Sequence, residues 1–390
     1  MKSIKNEANN YFEYSKSLRR DFHKHPEVAF NEYRSSKIVE EELKKLGFRI
    51  STNIANTGII GSLDGRNQKP NVMLRFDMDA LPMEEENNVE YASVNKGVMH
   101  ACGHDGHMAI GLTVARLLGD NLSKLNGSVK LCFQPAEEVL GGALGMIEGG
   151  ELNDPEPDYA LGLHIWNEKP KGWIALVPGP IMAGFDKFTI RIQGKGGHGA
   201  IPDQAKDPIV IAANIINMVQ SVVSRNVSPV EAAVISITKI NSGTAYNIIP
   251  EKLEMFGSIR TFKEDVREKI LSRLGEIMFG VESAFECSAI MEIERMAPPV
   301  NNNDALVGRV KECVEKLYPH LNIDENYKTM VSEDMAFYTQ EVPSCFILLG
   351  SANSEKGLIY GQHHPKFDFD EEVLTLGSAI LAETALTLLK

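Results

Sequence analysis

The sequence predicts an α/β protein, with a mainly parallel central sheet interrupted by a separate βαββαβ unit. Three observations carry this reading. Short apolar runs alternate with stretches of helical periodicity early in the chain. Acidic and imidazole residues recur at the ends of those runs, which is the edge where open α/β sheets bind ligands. The pattern changes near Gly184 and returns after Pro298-Pro299, as expected of an inserted unit.

Taken in order, Tyr11 to Leu46 reads as helical. Leu18 and Phe22 recur at helix-like spacing, and Ile38, Leu43 and Leu46 do so after a break at His25-Pro26. Thr57 to Leu63 and Asn71 to Asp77 read as strands, the second apolar at its start and polar at its end. A helix is expected over Met108 to Leu118, and strands over Ser128 to Gln134 and Tyr159 to His164. Asp186 to Gln193 then alternates like a half-buried strand. A helix follows at about Ile209 to Arg225, then strands at Ala232 to Ile240 and Lys252 to Thr261, a helix at Lys263 to Phe285 and a strand at Ser288 to Glu294. That βαββαβ order is the ferredoxin-like arrangement. The expected domains are therefore 1–183 with 299–390, and an inserted 184–298. A buried strand at Ser344 to Gly350 belongs to the returning part.

Bulk properties narrow the class. A chain of 390 residues exceeds what one hydrophobic core supports, which agrees with two domains. Its 53 acidic residues outnumber 40 basic ones, giving a net charge of -13. That balance argues against nucleic acid or an anionic membrane as partner. The five cysteines are odd in number and scattered, so free thiols in a reducing compartment are expected rather than disulfides. Met1 to Asn10 lacks a long apolar core, and no segment reads as an uncharged bilayer span, so the expected location is the cytoplasm.

The chemistry concentrates in Met99 to His107, where nine residues hold three histidines, a thiol and a carboxylate. Imidazole, thiolate and carboxylate are the ligands of borderline divalent metals. Four further stretches carry such groups: Asp77 and Asp79 at a strand end, adjacent Glu137 and Glu138, His164 closing an apolar strand, and His363-His364 near the C-terminus. Alone, each also reads as a capped turn, a solvated helix start or a satisfied core histidine. Together they form a ligand-rich set delivered by one sheet edge, the mark of a metal site. His198, in the glycine-rich run Gly194 to Pro202, stands apart in the inserted unit.

The set as a whole resembles the two-metal metallopeptidase family of the aminoacylases and glutamate carboxypeptidases, and within it the amidohydrolase branch. That branch contains hippurate hydrolases, N-acetyl-diaminopimelate deacetylases, bacterial aminoacylases and auxin-conjugate hydrolases. The resemblance runs from Arg19-Arg-Asp-Phe-His-Lys-His-Pro-Glu27 through Asp77-Met-Asp-Ala-Leu-Pro82, His100-Ala-Cys-Gly-His-Asp-Gly-His107, Gln134-Pro-Ala-Glu-Glu138 and Gly196 to Pro202, ending at His363-His-Pro365. It implies a catalytic α/β domain with two divalent ions, zinc or manganese with nickel or cobalt as alternatives, and a lid domain that mediates dimerisation. By motif position Cys102, His104, Glu138, His164 and His363 would be ligands, with His363 favoured over His364. Glu137 would be the general base, and Asp79 would support the ligands from behind. His198 would hold the oxyanion of a neighbouring subunit's site, and Asn247 and Arg260 would grip a substrate carboxylate. Gly199 and Asp203 depart from residues common among relatives, alanine and histidine respectively. The resemblance implies hydrolysis of N-acyl amino acids by a homodimer, or a dimer of dimers. A dipeptidase or carboxypeptidase is the alternative, and a non-catalytic metal protein the more distant one. A structural zinc site is closed by four ligands, whereas this set has ligands to spare and a carboxylate beside them.

Overall fold

The computed structural model describes residues 3–390, which divide into two units. The first runs up to Gly179 and includes Val300–Tyr327 and Asp334–Lys390. Its sheet has eight strands, in the order Arg49–Ile54, Gly58–Asp64, Ser128–Gln134, Asn71–Asp77, Tyr159–Pro170, Ser344–Ala352, Trp173–Ala175 and Asn322–Asp324. The four middle strands, from Ser128–Gln134 to Ser344–Ala352, run parallel, and antiparallel pairing joins them to Gly58–Asp64 on one side and Trp173–Ala175 on the other. Ser128–Gln134 and Asn71–Asp77 are buried along their whole length, as central strands covered on both faces must be.

Parallel register decides where side chains emerge. Asp77 pairs with Gln134, and Arg75 pairs with Gly162, so two residues further on Asp77 and His164 reach the same level. His164 does not close its strand, contrary to the sequence reading. The strand continues to Pro170 because it stays paired with Ser344–Ala352, where Leu348 opposes His164 and Ala352 opposes Pro170.

The long helix beside this edge is His104–Asp120, beginning four residues earlier than the hydrophobic pattern indicates. The ligand-rich run is thus partly the helix's first turn, entered through Gly103 at φ 93°, a left-handed conformation suited to glycine. The helix lies close to the sheet. A Cβ at Gly111 would stand 2.7 Å from Phe76 and 2.8 Å from Phe133.

The second unit comprises Pro180–Pro299 with Lys328–Glu333. Its antiparallel sheet runs Ala233–Ser242, Lys252–Thr261, Gly184–Gln193 and Ser288–Ala297, the ferredoxin-like order. Helices Pro208–Asn226 and Glu264–Phe285 cover one face, packing Ile211, Ile215, Ile270 and Leu274 on Ile190, Met255 and Ile259. Two expectations need correction. Residues 328–333 belong here rather than with the rest of 299–390, because Thr329 bridges Met182 and Arg260 donates to the Met330 carbonyl. Pro208–Asn226 is also long and apolar enough to cross a bilayer, although no such segment was expected. One face of it, with Ile211, Ala212, Ile215, Val219 and Val222, is buried in this unit's core, while Ile209, Val210 and Met218 are exposed.

The first unit contains a buried ionic knot. Arg19, in the helix Phe12–Lys24, is 0% exposed and reaches Asp105 at 2.8 Å, Asp368 at 2.7 Å and Glu371 at 3.3 Å. His23, one turn on, meets Asp105 at 2.8 Å and Glu85 at 3.1 Å. Burial opposes a charge on His23, yet the two carboxylates lift it to about 9. The knot ties the first turn of the His104 helix to the segment following His363. Arg19→Ala leaves its carboxylates uncompensated and should lower unfolding stability by about 3–5 kcal/mol. Denaturant unfolding would measure this, and a loss below ~1 kcal/mol would contradict the knot's structural weight.

Candidate metal centre

Asp79, just past the Asn71–Asp77 strand, organises the site. Its two carboxylate oxygens accept the backbone N–H groups of Glu137 and Glu138, each at 3.0 Å. Its carbonyl accepts His104 Nδ1–H at 2.8 Å. That bond leaves the lone pair of His104 on Nε2, the tautomer a metal ligand needs. His164 is set the same way, donating from Nδ1 to the Ile165 carbonyl at 2.7 Å. Its Nε2 then faces Cys102 Sγ at 3.5 Å.

Four of the expected residues form overlapping groups with Cys102. Cys102, His104 and His164 make one, and Cys102, Glu138 and His363 another, with ligand-type atoms inside each group within 4.8 Å of one another. Glu137 and Glu138 make a further group with His104 on the same criterion of 4.8 Å. His363 Nε2 lies 3.4 Å from Glu138 Oε2. His364 turns away, stacking on Tyr360 at 4.3 Å and accepting the Lys366 backbone N–H.

The donor set fits a divalent cation. His104 Nε2 and Glu138 Oε1 are buried without a hydrogen-bond partner and stand 4.0 Å apart. Buried polar atoms are nearly always satisfied, so two facing orphans among imidazoles, a thiol and carboxylates point to a cation that satisfies them. The electrostatics agree. Burial opposes a charge on His104, but Asp77, Asp79 and Glu138 outweigh it and push the ring up to about 10. The field that holds a proton there also favours a metal ion in its place. Burial and the carboxylates of Glu138, Glu137 and Asp77 drive the Cys102 thiol well above its ordinary range, so its thiolate form requires a cation. Burial holds His164 neutral, as a ligand must be.

The other expected residues lie in the second unit. His198 is exposed, pairs in register with Ile248, and accepts the Ala200 N–H at Nδ1. Asn247 is its neighbour, since its carbonyl accepts the Gly199 N–H at 2.9 Å. Arg260 stacks on Phe185 at 4.1 Å and donates to Ser332 Oγ at 2.7 Å.

Sequence reading did not single out four supporting residues. His107 is the imidazole one turn after His104, but its Nδ1–H is bonded to Asp77 at 2.5 Å and its Nε2 accepts the Ile165 N–H at 2.9 Å, so neither nitrogen is left for a metal. Arg75 was visible as a charge in an apolar strand. Its guanidinium spans Asp77, Gln134 and Asp334. Glu32 accepts the Phe30 and Ala136 N–H groups and the Thr57 hydroxyl, and burial lifts it to about 7. Glu32 and Asp334 carried no local pattern, because their partners are remote in sequence.

Comparison with known proteins agrees with this geometry. The family described as peptidase family M20/M25/M40 matches residues 73–387. The chain is 39% identical over 382 residues to thermostable carboxypeptidase 2 of Saccharolobus solfataricus, covering 97% of this chain and 96% of that one. It is 36% identical over 372 residues to N-acetyl-L-cysteine deacetylase of Bacillus subtilis, covering 95% and 87%. Among solved structures it resembles a Bacillus subtilis dinuclear metal binding peptidase, with a TM-score of 0.86 and 32% identity over 98% of this chain and 99% of that one. A buried Cys, His and Glu ligand set on a parallel sheet edge, in a chain matched over most of its length, makes this protein a hydrolase belonging to peptidase family M20/M25/M40.

Proposed function

We propose that the protein hydrolyses the amide bond of N-acyl amino acids, using two divalent ions held by Cys102, His104, Glu138, His164 and His363. The observation that carries this is the buried Glu137 carboxylate beside His104 and Glu138, in a site with two unsatisfied ligand atoms. Cys102 belongs to two of the ligand groups, one with His104 and His164 and one with Glu138 and His363, which supports two ions sharing one thiolate. Zinc or manganese suits this mixture of soft and hard donors, with nickel or cobalt as alternatives. The bound ions supply the Lewis acidity that acidifies a water and polarises an amide carbonyl. Glu137 then takes the water's proton and passes it to the leaving nitrogen.

Arg260 supports a carboxylate on the substrate. Its guanidinium is half-buried, stacked on Phe185 and held by Ser332, and no carboxylate pairs with it among the described residues. Asn247 would assist it, and His198 would donate to the developing oxyanion of a partner's site. The exposed Ile209, Val210 and Met218 of the Pro208–Asn226 helix, and the two edge strands of its sheet, support a homodimer through this unit. The free thiols suit a reducing, cytoplasmic setting.

The names of the Saccharolobus relatives favour a second reading, carboxypeptidase action. Both readings need a carboxylate grip and differ only in the group on the amide's acyl side. A panel of N-acetyl, N-benzoyl and longer-acyl amino acids against dipeptides separates them, and turnover confined to dipeptides would replace the proposal.

Three variants test the assignments. Glu137→Gln should retain metal while losing roughly 10²–10⁴-fold in kcat. Elemental analysis showing full metal alongside wild-type turnover would remove Glu137 as the base. Cys102→Ser should lose metal and activity together, since a hydroxyl is a poor substitute for thiolate. Survival of both would force a redrawn ligand set. His198→Ala should be nearly inactive alone, yet regain activity when its subunits exchange with Glu137→Gln. Half of the randomly mixed dimers are hybrid and one of their two sites is whole, so about a quarter of wild-type activity is expected. No recovery despite proven exchange would place His198 in its own chain's site or outside catalysis.

A further inference from the structure

We propose that Asp334 is a positioning residue for Glu137, held in place by Arg75. The inference rests on the role of Glu137 proposed above. Asp334 is 0% exposed. Its Oδ1 accepts from Arg75 at 2.7 Å and from the Gln134 amide at 2.9 Å. Its Oδ2 accepts from the same amide and from the Ala143 backbone N–H, both at 2.9 Å. Gln134 ends the strand before the segment carrying Glu137 and Glu138, and Ala143 lies in the helix Gly142–Glu148 just after it. One carboxylate therefore clamps both ends of that segment. The Asp334 backbone N–H reaches its middle, donating to Glu137 Oε1 at 3.4 Å.

The segment needs such a clamp. Ala136 and Leu140 both sit at φ 55°, a left-handed conformation that side-chain-bearing residues keep only when the surroundings impose it. The turn is also tight, since a Cβ on Gly142 would meet the Pro135 carbonyl at 1.7 Å. Asp79 holds the backbone of Glu137 and Glu138 alike, whereas the Asp334 N–H bonds the side chain of Glu137. Loss of the clamp should thus disturb the orientation of the Glu137 side chain more than the ligand Glu138. Arg75 completes the device. Its fork reaches Asp334, Asp77 and Gln134, so the two aspartates are set by one rigid planar group.

Asp334→Asn puts an amide where both carboxylate oxygens accept hydrogen bonds. It should lower kcat by about 10–100-fold, the scale of a misplacement near 1 Å, with KM within about twofold and metal content at the wild-type level. In a Glu137→Gln background the same change should cost no more than about twofold, because residues acting through one group are not additive. A wild-type kcat in Asp334→Asn overturns the proposal. So does metal lost in step with activity, or a full additional loss on top of Glu137→Gln. Should Asp334→Asn fail to fold by circular dichroism, Arg75→Lys keeps the charge, loses the fork and should show the same split between kcat and KM. An unchanged kcat there overturns the proposal equally. The two readings fail differently. An active Glu137→Gln removes the base and this inference with it, whereas an inactive Glu137→Gln beside a fully active Asp334→Asn removes this inference alone.

Discussion

The centre depends first on Asp79, through its carboxylate and its backbone carbonyl. Two successive backbone N–H groups and one imidazole proton converge on a single buried residue. Those three bonds fix the approach of Glu137 and Glu138 and the tautomer of His104 together. Asp79 performs this role without offering an atom to the ligand groups. The parallel sheet makes it possible, because neighbouring strands that run the same way deliver their ends to one level.

Gathering so many acids in a buried space is unfavourable unless cations offset them. Two buried guanidiniums do part of this. Arg19 compensates Asp105 and Asp368, next to the first turn of the His104 helix and the segment following His363. Arg75 compensates Asp77 and Asp334 at the strand ends. What remains uncompensated is the space between His104, Glu138 and Cys102, where orphaned ligand atoms and a raised thiol call for further positive charge. Asp77, Asp105, Asp334 and Asp368 are thus paired with guanidiniums, whereas the orphaned atoms of His104 and Glu138 have no such partner.

The relatives divide between carboxypeptidases and deacetylases at nearly equal identity, 39% and 36%. Overall similarity therefore does not choose the acyl group. Within the second unit Arg260 is held by Phe185 and Ser332, with no carboxylate paired to it among the described residues. A change of one methylene in a hydrophobic pocket shifts preference by only about 1–3 kcal/mol, too little for overall identity to register.

By itself the sequence determined the fold class, the order of elements and the identity of the ligand-type residues, because each rests on local pattern. Alternation gave the inserted strands Lys252–Thr261 and Gly184–Gln193 nearly to the residue. The density of imidazole and thiol in Met99 to His107 marked the site. Local pattern could not separate His104 from His107, since both have the same chemistry and lie one turn apart. Only the packed structure satisfies both nitrogens of His107 and leaves one of His104 unsatisfied. Nor could it place Asp334 beside Gln134, or return residues 328–333 to the second unit. Those contacts join positions hundreds of residues apart in some cases, and their energy exists only once the chain has closed on itself. Composition and periodicity record which groups must be buried or exposed. Which buried group meets which is decided by tertiary packing.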